Sequence, residues 1–117
     1  MIRKSERGDI MKELHTIQEV ESLLHDSDMA LMYFSGTKCG ACEIIREKVD
    51  KILLEYPNIN SGVINAEQHP EVSSRFNIVS VPQFFVYVYG KETIHEGSYF
   101  DFRELREKLN RYYEMVF

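Results

Sequence analysis

The chain contains no tryptophan, only two cysteines and only three prolines. Two cysteines cannot form the several cross-links of a disulfide-stapled scaffold, so the fold must rest on a hydrophobic core. Basic residues are in the minority. Fourteen Lys and Arg against nineteen Asp and Glu leave a net charge of −5, which argues against nucleic acid as a partner. No stretch approaches the roughly 18 apolar residues of a membrane span, so no membrane partner is expected. Met1 to Asp9 carry charge with no apolar segment behind them, so no secretory signal is read there and a cytoplasmic setting is expected. Repeats, low-complexity tracts and Pro/Gly-rich linkers are also missing. That leaves 117 residues for one compact domain, expected as a monomer.

What is present has the balance of an ordinary globular protein, with 44% hydrophobic and 28% charged residues, enough apolar material for a real core. Residues 1–10 are read as a flexible N-terminal extension and 11–117 as the domain. Thr16 and Glu19 form a capping box opening a helix with Ile17, Val20, Leu23 and Leu24 on one face. Residues 30–35 are continuously apolar, which predicts a strand buried on both faces. A second helix starts near Cys39 and carries Ile45, Val49, Ile52, Leu53 and Tyr56 at helical spacing until Pro57 stops it. Glu47, Lys48, Asp50, Lys51 and Glu55 are assigned to its solvated faces. Strands follow at 59–66 and 84–89, with a short helix near Glu71–Phe76 between them. Gly90-Lys91 is read as a type II′ turn into a strand at Glu92–Glu96. Asp101 caps a last helix bearing Phe102, Leu105, Leu109, Tyr112 and Val116, and Tyr99, Phe100, Phe102, Tyr112 and Tyr113 are read as packing residues. Two βαβ crossovers followed by a hairpin predict an α/β fold, with a central mixed sheet of four to five strands and helices on both faces.

The chemistry lies in Cys39-Gly40-Ala41-Cys42, placed between a strand and the start of a helix. The free N–H groups of a first helical turn and the positive end of its dipole stabilise a thiolate, the species that attacks disulfides. Cys39 falls at the helix tip and Cys42 one turn in, facing the core. Lys38 and Glu43 act on the thiolate in opposite directions. No metal or bound cofactor is expected, because His15, His25, His69 and His95 are scattered without ligand spacing.

With these elements in place the chain resembles the thioredoxin family from about Met11 to Val116. The resemblance rests on the strand leading into Cys39-Gly40-Ala41-Cys42, on Val81-Pro82 before the strand Gln83–Tyr89, and on Gly97 before the amphipathic last helix. Asn65-Ala66-Glu67-Gln68-His69-Pro70 is similar to the family's turn after its third strand. The resemblance implies a thioredoxin fold and dithiol–disulfide exchange with protein disulfide substrates. It implies Cys39 as nucleophile and Cys42 as resolving thiol, with electrons from a thioredoxin-reductase-like donor. It also implies a cis bond at Pro82 and a substrate-binding surface formed by Gly40, Ala41, Val81, Pro82 and Gly97. Four positions depart from the pattern. Lys38 stands where tryptophan is usual, and the dipeptide is Gly-Ala instead of Gly-Pro. Tyr33 takes the place of the buried aspartate and Val63 that of its lysine neighbour. Water or Glu43 is then left to accept the proton of Cys42. An alternative reading is a thioredoxin-fold protein-binding module with weak or no redox turnover.

Overall fold

The computed structural model describes residues 10–117, so all of the extension read at residues 1–10 except Ile10 lies outside the described residues. Ile10 packs against the core. Five strands and four helices follow: β1 (Lys12–Glu13), α1 (Ile17–Asp26), β2 (Met29–Ser35), α2 (Gly40–Leu53), β3 (Asn60–Asn65), α3 (Pro70–Phe76), β4 (Gln83–Val88), β5 (Lys91–Glu96) and α4 (Phe102–Val116). The sheet order is β1-β3-β2-β4-β5. β1 and β2 run parallel to β3, while β2–β4 and β4–β5 are antiparallel. The mixed sheet expected from the sequence is therefore present, with five strands.

β2 lies at its centre, and its continuous apolar run has a simple cause. Successive strand residues face opposite sides, and both sides are covered. Met29, Leu31 and Tyr33 pack with Val49, Ile52 and Leu53 of α2 and Leu105 and Leu109 of α4. Ala30, Met32 and Phe34 pack with Val20 and Leu24 of α1 and Val72 of α3. All six of these strand residues are fully buried. Truncating Leu31 to alanine would cost about 2–5 kcal/mol on the scale of large-to-small core changes.

The helix signals act as read. The Thr16 hydroxyl accepts from the Glu19 N–H at 3.1 Å, and the Glu19 carboxylate accepts from the Thr16 N–H at 3.1 Å. Asp101 accepts from the N–H groups of Arg103 and Glu104. Between strands, the turn Asn65–Pro70 is fixed by a side chain of its own and one of the helix after it: the Gln68 N–H donates to Asn65 Oδ1, and the Ser73 hydroxyl donates to the Ala66 carbonyl.

Four expectations need correction. The hairpin turn is Tyr89-Gly90, with φ of 50° and 79°, not Gly90-Lys91. Two consecutive positive φ values make a type I′ turn, whose twist matches the flanking strands, and the Tyr89 N–H donates to the Asp28 carbonyl at 2.8 Å. Tyr89 consequently leaves the strand and is 63% exposed. α2 ends at Leu53, before Pro57: the N–H groups of Glu55 and Tyr56 turn to the Ile52 and Leu53 carbonyls and tighten the last turn. Asp50 is not on a solvated face but buried, because 42, 46, 49, 50 and 53 recur every three or four residues along the stripe toward the sheet. Of the aromatic residues expected to pack, Phe100, Phe102, Tyr112 and Tyr113 do so, whereas Tyr99 is fully exposed. Among the described residues, no helix is long and apolar enough to cross a membrane.

Candidate active site

β2 runs through the middle of the sheet and ends at Ser35. A short loop then carries the chain to Cys39, the N-cap of α2, in extended conformation. The approach is tightly held. The Glu67 carboxylate accepts from the Thr37 N–H at 2.5 Å, and Asn65 Nδ2 donates to Thr37 Oγ1 at 3.1 Å. Lys38 then takes a left-handed backbone, φ 53°, which disfavours a residue with a Cβ by roughly 1–2 kcal/mol. Gly36 is required by space: a Cβ there would lie 2.7 Å from Val81 Cγ2 and 2.9 Å from the Glu67 carboxylate.

Cys39 and Cys42 are joined as a disulfide, with Cα atoms 5.2 Å apart. Cys39 is half-buried at the helix tip, while Cys42 is buried at 1% exposure. The Cys42 N–H donates to Cys39 Sγ at 3.2 Å. In the reduced protein this donor and the N-terminal end of α2 stabilise negative charge on that sulfur. Only the outer sulfur can meet a partner without the helix opening.

The bond before Pro82 is cis, and the Val81 carbonyl oxygen lies 4.0 Å from Cys39 Sγ. The structure thus brings Val81 and Pro82 beside the cysteine pair, with Gly40 and Ala41 exposed at the start of α2. Gly97 sits against the Pro82 carbonyl, 3.9 Å from where its Cβ would be, which is ordinary van der Waals contact. The scattered histidines stay apart from the sulfurs. His69 Nδ1 is 2.8 Å from the Asn65 carbonyl, and His95 stacks on Phe85. Among the described residues, no group of three or more His, Cys, Asp or Glu side chains is gathered as metal ligands would be.

Below the pair, Tyr33 occupies the floor. Its ring stacks on Phe84, and its hydroxyl donates to the Cys42 carbonyl at 2.6 Å. Burial pushes its phenol far above the ordinary tyrosine range; nearby Arg46 opposes the shift and Asp50 adds to it. Tyr33 is therefore neutral at physiological pH and acts as a hydrogen-bond donor, not a proton acceptor. Sequence reading misses two acidic residues here: Glu67, which clamps the approach to Cys39, and Asp50, buried on the Cys42 side of α2. The spacing of Asp50 from Cys42, two helical turns, is the available signal for the second.

A redox-competent cysteine pair at the start of a helix, delivered by the central strand of a mixed sheet, defines a thiol–disulfide oxidoreductase in general terms. Comparison with known proteins agrees. The thioredoxin family model matches residues 12–111, and the chain belongs to the thioredoxin family. It is 30% identical over 105 residues to thioredoxin-like protein YdfQ of Bacillus subtilis (strain 168), covering 90% of this chain and 94% of that protein. Thioredoxin from Trypanosoma brucei brucei superposes with a TM-score of 0.78 at 23% identity, covering 97% of this chain and 99% of that one. A mutant thioredoxin from Halobacterium salinarum NRC-1 also reaches 0.78, at 20% identity, covering 93% and 96%. At these identities the two structures speak for the thioredoxin fold.

Proposed function

We propose that the protein exchanges electrons between the Cys39/Cys42 dithiol and protein disulfides. The observation that carries this reading is the pairing of a half-buried Cys39 sulfur, backed by the Cys42 N–H at 3.2 Å, with a second sulfur sealed behind it. The Cys39 thiolate attacks a substrate disulfide; a Cys39–substrate bond forms and the substrate's own S–S bond breaks, releasing one substrate thiol. Cys42 gives up its proton and attacks Cys39 Sγ, which releases the second thiol and leaves the Cys39–Cys42 disulfide. The proton goes to water or to Glu43, which lines the same cleft as both cysteines. Val81, 4.0 Å from Cys39 Sγ, offers its backbone to an extended substrate segment. Electrons return from a thioredoxin-reductase-like donor, and the protein works as a cytoplasmic monomer.

The test is reduction of a protein disulfide such as that of insulin, with Cys39→Ser and Cys42→Ser variants alongside. The expected result is turnover at background for Cys39→Ser and a trapped, thiol-releasable mixed disulfide for Cys42→Ser. Turnover by Cys39→Ser equal to that of the unaltered protein would sink the proposal and leave a binding module. Equilibration in graded thiol/disulfide buffers then gives the potential, expected between about −270 and −200 mV if the pair works as a cytosolic reductant or exchanger.

A further inference from the structure

When the Cys39–Cys42 bond opens, the first turn of α2 loses the covalent tie that closes it. Little on its outer side replaces that tie. Gly40 has no atom within 4 Å of where a Cβ would stand, Ala41 and Glu43 are exposed, and Ile44 is 58% exposed. A helix end with an outward glycine and few contacts is where a helix opens most readily. A bond from outside α2 holds this turn from below. The Tyr33 hydroxyl donates to the Cys42 carbonyl at 2.6 Å, and that bond does not involve the sulfurs. Its base is rigid. Tyr33 is fully buried in the central strand, paired with Val63 of β3 and Phe84 of β4, and its ring stacks on Phe84. The buried Asp50 and its neighbour Arg46 are near enough for their charges to act on the phenol. The single phenolic proton nonetheless goes to the carbonyl of the resolving cysteine.

We infer that Tyr33 is a positioning residue for resolution, keeping Cys42 within reach of Cys39 while the dithiol is open. The inference rests on the exchange proposed above and deepens it by separating its two steps. In the first, a substrate brings its sulfur to Cys39 by diffusion. In the second, the Cys42 thiol gives its proton to water or Glu43, and its sulfur attacks Cys39 Sγ. The Cys39–Cys42 bond forms and the Cys39–substrate bond breaks. The substrate thiolate leaves with the electron pair and takes a proton from water. This second step is intramolecular, so its rate depends on how closely the two sulfurs are held, and a misplacement of about 1 Å can cost about a hundredfold. A phenol fixes the backbone of Cys42 without setting a further negative charge beside the sulfur that must ionise.

The experiment uses the full chain, reduced beforehand, mixed by stopped flow with excess 5,5′-dithiobis(2-nitrobenzoate). Attack by Cys39 releases one coloured thiolate and resolution by Cys42 releases a second. The first phase scales with reagent concentration and the second does not, and Cys42→Ser, which shows the first alone, identifies it. Tyr33→Phe keeps the ring and removes only the hydroxyl. It should leave the first phase within about twofold and slow the second about tenfold. The slowing should be the same at every pH at which both phases are resolved. The charged groups around Cys42 (Lys38, Glu43, Arg46 and Asp50) are identical in the two proteins. A tenfold loss in resolution at equilibrium raises the potential by about 30 mV. Tyr56→Phe is the control. Its hydroxyl also donates to a backbone carbonyl, that of Arg106 at 3.4 Å, but beyond the far end of α2, so neither phase should change. An unchanged second phase, equal slowing of both phases, or a second phase that recovers at higher pH would overturn the inference and leave the exchange standing. Release of neither thiolate by the unaltered protein overturns the exchange and this inference with it.

Discussion

Two short segments hold a residue with a bulky side chain in the left-handed region, and they do it by different means. At the hairpin, Tyr89 (φ 50°) is followed by Gly90 (φ 79°), and the turn is closed by the local twist of its own two strands. Its tie to the rest of the molecule is a main-chain bond, Tyr89 N–H to the Asp28 carbonyl. Before the cysteines, Lys38 (φ 53°) has no such local support. It is held by Glu67 and Asn65, which reach Thr37 from 30 and 28 residues further along the chain. The same backbone state is a matter of turn chemistry in one place and of tertiary clamping in the other. Perturbing the first should therefore change stability alone, whereas perturbing the second should also change the behaviour of the cysteine pair.

The largest effect is expected at Gly36. Gly36→Ala drives a Cβ to within 2.7 Å of Val81 and 2.9 Å of the Glu67 carboxylate, and that carboxylate is not free to swing away because it binds the Thr37 N–H. Overpacking of this kind costs about 1–3 kcal/mol, read as a lowered urea midpoint. Gly40→Ala is the internal control. Its Cβ meets open space at the first position of α2, so stability should hold or rise slightly. A Gly36→Ala protein as stable as the Gly40→Ala one would mean that the approach loop gives way freely and is not clamped.

Glu67→Ala comes next. Water can reach the Thr37 N–H once the carboxylate is gone, so the loss of stability should be only about 1 kcal/mol. The informative readout is the reduction potential of Cys39–Cys42. If the clamp orders the loop more in the closed disulfide than in the open dithiol, its loss raises the potential by up to about 20 mV, at roughly 30 mV per 1.4 kcal/mol. A role in folding alone lowers the stability of both redox forms equally and leaves the potential where it was.

The same contrast explains how much can be read from the sequence. The cysteine pair, the helix caps at Thr16 and Asp101 and the doubly buried β2 are local patterns, each legible from a few neighbouring residues, whereas the place of Pro82 beside the cysteines is legible only through the family resemblance. Tyr33 is legible as part of the doubly buried run 30–35, though not that its hydroxyl donates to the Cys42 carbonyl. Glu67 reads only as part of a turn, since nothing near it in sequence points to Thr37. Asp50 is misread when its charge outweighs its position on the buried stripe of α2. At the hairpin, glycine stands second in the turn, not first. The Tyr89–Lys91 stretch fits either register by composition, and the pairing of Val88 with Lys91 decides it.

The smallest effect, and the sharpest check on the comparison, is at that hairpin. Tyr89 is 63% exposed, so little packing is lost when its ring is removed. Asparagine enters the left-handed region at lower cost than tyrosine, and Asn-Gly is the preferred pair for a type I′ turn. Tyr89→Asn should therefore stabilise the protein, by about 0.5–1 kcal/mol, seen as a raised urea midpoint with an unchanged slope. The potential of Cys39–Cys42 should stay at its original value, because the turn lies at the opposite end of β4 from Val81. A shift in potential on relieving Tyr89 would show that strain at the hairpin is transmitted along β4 to the cysteines. The distinction between a self-contained turn and a clamped approach would then fail.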